Sequence, residues 1–262
     1  MFGTSGIRGP VGETVTAELA LAVGRALAGD ADRVVVGRDP RESGRILEDA
    51  LAAGLRECGS DVVRLGLAAT PTVARSVDWC SADAGVSITA SHNPPEDNGL
   101  KLWQPSGQAF DEPRRDRIET RIEDDAFDLA PWDDQGRENR WDQARERHVA
   151  AIEAVVSPSD LSVAVDLGNG AGGVSIDALQ AIGCTVETLN AQPDGRFPGR
   201  PSEPTADNCA DLQEFVRTSS VDLGIAHDGD ADRLQAVTAE GEWVPGDVLL
   251  AIFARDAASA GD

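Results

Sequence analysis

The sequence predicts an α/β protein built as two successive units of similar size. Apolar periodicity alternates between helix and strand along the chain. That alternation breaks off in a polar stretch at 104–140 and then restarts. In each half a strand runs into a polar turn and helix (Gly37-Arg38-Asp39, then Gly168-Asn169-Gly170), and a later strand runs into the most polar loop of its half. This order fits a diverged internal repeat. The chain changes character near 135–150, so the units are taken as 1–140 and 141–262. With 262 residues and about 150 per domain, each has enough chain for its own core.

In order, Ala17 to Ala28 reads as a helix and Arg33 to Gly37 as a β-branched strand. Arg45 to Cys58 is helical, with Gly59 suited to its C-terminal cap. A strand follows near Val62, then a helix from Pro71 to Trp79 with proline in its first turn. Gly85 to Thr89 and Leu100 to Trp103 are short strands. Residues 104–140 read as a peripheral edge and linker with one helix around Arg114 to Glu123. The second half gives helices at Gln143 to Val156, Val174 to Ile182, Asp207 to Thr218 and Gly246 to Ala258. Its strands are Val163 to Asp166, Thr185 to Leu189, Leu223 to His227 and Leu234 to Thr238.

Composition narrows the function. With 41% hydrophobic and 26% charged residues the chain is globular. Its longest apolar run, Val248 to Ala254, is far too short for a bilayer, and no signal-peptide pattern opens the chain, so a cytoplasmic protein is expected. Asp and Glu total 46 against 23 Lys and Arg, a net charge of −23 that argues against nucleic acid and anionic membranes as partners. Abundant acid, almost no lysine and no tyrosine fit a salt-rich cytoplasm, hence a halophile. Cys58, Cys80, Cys184 and Cys209 are widely spaced and read as reduced, buried thiols.

Two polar loops carry the chemistry. Thr89-Ala90-Ser91-His92-Asn93-Pro94-Pro95 follows an apolar strand and delivers a serine to its end. Serine is a weak nucleophile unless something takes its proton or a cation steadies its product, and a plain Pro/Asn turn is the alternative. Lys101 argues against that alternative: it is the chain's one lysine, ten residues beyond Ser91, and unlike arginine a lysine can exchange its proton. His227-Asp228-Gly229-Asp230-Ala231-Asp232-Arg233 follows another strand. Its three alternating carboxylates can converge on a hard cation, Mg²⁺ or Ca²⁺. An EF-hand is excluded, because Arg233 stands where that loop needs glycine and Ala239 where it needs glutamate.

Gly3-Thr4-Ser5-Gly6-Ile7-Arg8-Gly9 offers amides, hydroxyls and a guanidinium as a phosphate cradle, or is an ordinary terminus. Gly168 to Gly173 satisfies G-x-G-x-x-G, with Glu187 at dinucleotide-fold spacing, but that motif is weakly specific. His148, in a charged helix, is expected to be exposed.

Together these residues resemble the α-D-phosphohexomutase superfamily, which includes phosphoglucomutases, phosphomannomutases and phosphoglucosamine mutases. Phe2 to Gly9 is similar to its N-terminal signature, Thr89 to Pro94 to its phosphoserine loop, Asp97 to Lys101 to the segment that follows, and Asp228 to Arg233 to its metal loop. Val165-Asp166 with Asn169 to Gly172 also resembles a family segment, against the dinucleotide reading.

The resemblance implies two mixed sheets flanked by helices, with Ser91 as phosphoryl carrier and one Mg²⁺ held by Asp228, Asp230, Asp232 and phosphorylated Ser91. It places Lys101 as proton shuttle, with Arg8 and His92 also at the catalytic centre. Thr4, Ser5, Arg8, Asn93 and Arg233 would bind substrate or phosphate. The implied reaction interconverts hexose 1- and 6-phosphates through a hexose 1,6-bisphosphate, which also serves as activator.

Nothing in the chain matches the family's third-domain sugar loop or fourth-domain phosphate loop. The chain is therefore expected to be the N-terminal half, poorly active alone, with a separate chain as a candidate source of the rest. A non-catalytic phosphosugar- or partner-binding remnant is the alternative. Mannose, glucose and glucosamine phosphates are not separable on these residues.

Overall fold

Val34, Val35 and Val36 are fully buried, which requires cover on both faces of their strand. A computed structural model describes Gly3 and residues 6–260 and places these valines in β2 (Arg33–Arg38), inside a six-stranded sheet. Its other strands are β1 (Ile7–Pro10), β3 (Asp61–Leu67), β4 (Ala84–Ile88), β5 (Asp97–Trp103) and β6 (Glu138–Arg140), in the order β1-β5-β4-β2-β3-β6. Side chains alternate across the pleat. Val34 and Val36 pack towards α1 (Ala17–Ala28) and α2 (Gly44–Glu57), and Val35 towards α3 (Thr70–Trp79) on the other face. Ile118 of α4 (Glu112–Glu123) joins the first of these cores.

Helix α1 starts where Thr16 Oγ1 accepts the Leu19 N–H at 3.0 Å. It crosses α2 at two glycines: a Cβ on Gly24 would lie 2.3 Å from the Leu51 carbonyl oxygen, and one on Gly54 2.2 Å from that of Leu21. As expected, Gly59 follows the end of α2 with a positive φ of 94°.

The second sheet contains β7 (Ser162–Asp166), β8 (Thr185–Leu189), β9 (Leu223–His227), β10 (Leu234–Thr238) and β11 (Trp243–Val244), ordered β11-β10-β9-β7-β8. Helix α6 (Gly173–Ala181) covers one face and α7 (Ala210–Thr218) the other. Helix α5 (Ala144–Glu153) packs against both α3 and α6, and α8 (Gly246–Ala260) follows β11. Among the described residues no helix is long and apolar enough to cross a membrane.

The sheets correspond strand for strand: β1-β5-β4-β2-β3 and β11-β10-β9-β7-β8 share one sequence of antiparallel and parallel pairings. Strand β6 is an addition at the first sheet's edge. The sequence pattern missed β1, β6 and β11, and β5 begins three residues before its expected start. These segments are short, and backbone pairing to a neighbour defines them rather than apolar alternation. Helix α7 starts at Ala210 rather than Asp207, because Thr205 first forms a turn that takes the N–H groups of Asn208 and Cys209.

Two expectations are corrected. His148 is buried, not exposed: its Nδ1 lies 2.8 Å from Thr72 Oγ1 and its ring packs against Trp79. Burial pushes its pKa down to about 4. All four cysteines are free, but only Cys184 and Cys209 are buried, while Cys58 and Cys80 are half-buried.

Candidate active site

Strands β4 and β9 occupy corresponding places in the two sheets, and each runs straight into a polar loop. Loops at the carboxyl ends of such strands are where α/β proteins bind ligands. The two loops meet. The Ser91 hydroxyl donates to Asp228 Oδ2 at 2.6 Å, across 137 positions of sequence.

Ser91 is buried and adopts φ +53°, a left-handed conformation that costs a residue with a Cβ about 1–3 kcal/mol and persists only where neighbours impose it. The neighbours are identifiable. Thr89 Oγ1 accepts the Ser91 N–H at 2.8 Å and donates to Asp39 Oδ2 at 2.8 Å. Asp39 is fully buried beside Arg41, and burial raises its carboxyl to about 6 in spite of that arginine. Glycine allows close approach on the far side, since a Cβ on Gly229 would stand 2.7 Å from the Ser91 carbonyl oxygen.

In the second loop, Asp228, Asp230 and Asp232 each offer a carboxylate oxygen, and these atoms all lie within 4.8 Å of one another. Asp228 Oδ1 accepts the Arg233 N–H, and Asp230 Oδ2 accepts the Thr70 hydroxyl at 2.7 Å. Asp230 Oδ1 is buried with no hydrogen-bond partner. Burial raises the carboxyls of both Asp228 and Asp230, that of Asp230 to about 7, and the neighbouring carboxylates add to the effect. A partnerless buried oxygen within a crowd of hard anionic donors is what a Mg²⁺ site requires, so these residues fit the ion.

Lys101, on β5, reaches across to Asp232 with Nζ 2.9 Å from Oδ2 and lies over the Trp103 ring. His92 Nδ1 is 3.3 Å from Ser91 Oγ. Burial first, then Arg233 and to a lesser degree Arg8, hold its pKa below the usual imidazole value. Arg8 sits on β1 opposite Gly99, and its Nε is buried without a partner. Asn93 commits its amide to Asp97 within the loop, while the exposed Arg233 supplies backbone contacts to Asp228 and His227. Phe2, Thr4 and Ser5 lie outside the described residues.

The structure thus brings Ser91, His92, Lys101, Asp228, Asp230, Asp232 and Arg233 together, with Arg8 close by. Gly168 to Gly173 does form a strand-to-helix turn, but the Ala171 N–H donates to the Gly229 carbonyl and so braces the acidic loop. Sequence reasoning missed Asp39, Arg41, Thr70, Asp166 and Arg200, which support the site. The available signal was charge placed directly after a β-branched strand, as in Val34-Val35-Val36-Gly37-Arg38-Asp39.

Comparison with known proteins agrees with this geometry. Residues 1–128 match the model of phosphoglucomutase/phosphomannomutase α/β/α domain I, and residues 146–241 that of domain II. A relative from Methanosarcina barkeri named "Probable phosphoglucosamine mutase" is 47% identical over 254 residues, which are 97% of this chain and 58% of that protein. One of the same name from Methanopyrus kandleri is 46% identical over 97% of this chain and 57% of its own length. A crystal structure of a phosphoglucomutase/phosphomannomutase family protein from Burkholderia thailandensis superimposes with a TM-score of 0.88 at 33% identity, covering 99% of this chain and 59% of that one. The chain therefore spans a little under three-fifths of the length of these relatives.

Proposed function

Because the chain belongs to the α-D-phosphohexomutase superfamily, we propose that it forms the phosphoserine- and metal-bearing part of an enzyme that interconverts hexose 1- and 6-phosphates. The names of the relatives favour a phosphoglucosamine over a mannose or glucose phosphate. One observation carries the reading: the hydroxyl of a strained serine from one unit faces three converging carboxylates from the other.

In this mechanism phosphorylated Ser91 gives its phosphoryl group to a free hydroxyl of a hexose monophosphate. The P–O bond to Ser91 Oγ breaks as a bond to the sugar oxygen forms, leaving a hexose 1,6-bisphosphate. The other phosphate of that sugar then returns to Ser91. Asp228, Asp230 and Asp232 would hold Mg²⁺, which when bound offsets the charge gathering on the transferring group. Lys101, as the neutral amine, takes the proton of the attacking hydroxyl and returns it in the second half-reaction, while Asp232 keeps that amine in place by accepting one of its hydrogens. Arg8 and Arg233 supply positive charge for substrate phosphate. His92, beside Ser91, supports the loop.

The division between units is placed at residues 140 and 141, after β6 has closed the first sheet. With its net charge of −23 the chain is assigned to a salt-rich cytoplasm, without nucleic-acid or membrane partners. The sugar-reading part is assigned to protein beyond this chain, whether in the same polypeptide or a separate one.

Intact mass of the wild type and Ser91→Ala, before and after glucose 1,6-bisphosphate with Mg²⁺ in high salt, tests the reading. One phosphoryl group on the wild type and none on the variant is expected. Equal uptake by both would place the acceptor elsewhere. No uptake by either would leave a binding remnant.

A further inference from the structure

We propose that two buried arginines, Arg41 and Arg200, are positioning residues that hold Ser91 and Asp228 in register from beneath the site. The inference rests on the reading of Ser91 as phosphoryl carrier. Arg41 is wholly buried and pairs with Asp39 at 3.0 Å. Its guanidinium donates to the carbonyls of Ser91 at 3.0 Å, Asn93 at 2.6 Å and Asp97 at 2.9 Å, and also to that of Pro94. Four carbonyls between Ser91 and the first residue of β5 are thus tied to a single planar group. Lysine could not reproduce this, because its donors radiate from one atom.

The second unit meets this arrangement through residues 195–202. The Phe197 ring lies 4.9 Å from the Arg41 guanidinium. Ser202 Oγ donates to the carbonyls of Asn93 at 3.0 Å and Ser91 at 3.4 Å. A Cβ on Gly195 would come within 2.5 Å of Arg41 Cα. The same segment carries Arg200, which pairs with Asp166 at 2.8 Å and donates at 2.7 Å to the carbonyl of His227, the residue before Asp228. A continuous path therefore runs from Asp39 through Arg41 and the Ser91 loop to Ser202, then through Arg200 to His227 and Asp228. The bond between Ser91 and Asp228 closes it into a ring. No member of the path between these two residues touches the reacting atoms. Each of the two buried arginines has a carboxylate counter-ion and carbonyl partners, as burial demands.

Phosphorylation of Ser91 by glucose 1,6-bisphosphate with Mg²⁺, followed by intact mass in single turnovers, tests the clamp. Arg41→Ala is expected to slow phosphorylation by about 100-fold, the scale of a displacement near 1 Å. The bisphosphate concentration giving half the maximal rate should stay unchanged, and added guanidinium chloride should restore much of the rate. Arg41→Lys should remain slow. Ser202→Ala removes a single hydroxyl and should slow the reaction with unchanged melting temperature, which keeps the test alive if Arg41→Ala does not fold. A wild-type rate in Ser202→Ala together with a folded Arg41→Ala at wild-type rate, or with an unfolded one, overturns the clamp. So does an Arg41→Ala whose loss lies entirely in half-saturation. A wild-type chain that takes no phosphate refutes the reading of Ser91, and the clamp with it.

Discussion

Replacing Asp230 by asparagine should stabilise the metal-free protein and abolish most of its response to Mg²⁺. The ligand oxygens of Asp228, Asp230 and Asp232 lie within 4.8 Å of one another, so each charged pair repels by at least about 3.5 kcal/mol at an effective dielectric of about 20. Asp230 takes part in two such pairs, and burial adds the cost of holding its charge away from water. Asparagine keeps the shape, and its carbonyl can still accept the Thr70 hydroxyl. Partial protonation and solvent around the exposed Asp232 reduce the gain, leaving about 2 kcal/mol at pH 8, or about 4–8 °C in melting temperature. Mg²⁺ should reverse the order. At about 100 times its Kd an ion stabilises its site by about 2.7 kcal/mol, a gain open to the wild type and largely lost to the variant. Thermal melts of both proteins in chelator and in Mg²⁺, at one constant salt concentration, read all four values. A variant that melts below the wild type in chelator, or gains as much from Mg²⁺, would refute the assignment.

Further perturbations test other parts of the structure. Gly54→Ala sets a methyl 2.2 Å from the Leu21 carbonyl oxygen, so α1 and α2 must part at a cost of about 2 kcal/mol; an unchanged denaturation midpoint would count against that crossing. His148 titrates near 4 in the fold against 6.5 in the unfolded chain, so the unfolded state binds the extra proton between those values. Stability should therefore be intact above pH 6.5 and fall by up to about 3 kcal/mol towards pH 4, and His148→Gln should flatten that part of the curve; identical urea-unfolding slopes against pH would refute it. Lys101→Arg keeps a hydrogen-bond donor for Asp232 but cannot exchange a proton, so phosphoryl transfer should slow by about 100-fold with the fold intact, whereas a wild-type rate removes Lys101 from proton transfer.

The residues legible in the sequence were those whose type announces their chemistry. Ser91 stands at a strand end, Asp228, Asp230 and Asp232 alternate with small residues, and Lys101 is the one lysine in an arginine-rich chain. The support beneath them was not legible, because burial is a property of the partner and not of the residue. Arg41 reads as one more surface arginine until Gly195 and Phe197, more than 150 positions away, come down on it. His148 sits among Arg145, Glu146 and Arg147 and so looks exposed, yet Thr72 and Trp79 of α3 enclose its ring. Edge strands escaped for a related reason. Glu138-Asn139-Arg140 is exposed at every position and becomes β6 only through the backbone of β3.

The strand-for-strand match of the two sheets explains why the site lies where it does. In each unit the functional loop follows the strand between the central parallel strand and its antiparallel neighbour: β4 between β2 and β5, and β9 between β7 and β10. One topology therefore delivers the proposed phosphoryl carrier Ser91 in the first unit and the three carboxylates in the second. Neither half holds the whole arrangement, since Ser91 without the acidic loop keeps only the longer His92 contact for its hydroxyl and the acidic loop alone is a cluster of repelling charges. Their usefulness depends on the registry of two separately packed cores, and an exposed hinge would let that registry drift. A buried path of arginine–carbonyl bonds crossing the interface removes that freedom, because every member would have to leave its partners unsatisfied to move. The extra burial of charge beneath the site is thus the physical consequence of dividing one candidate site between two units of matching strand order.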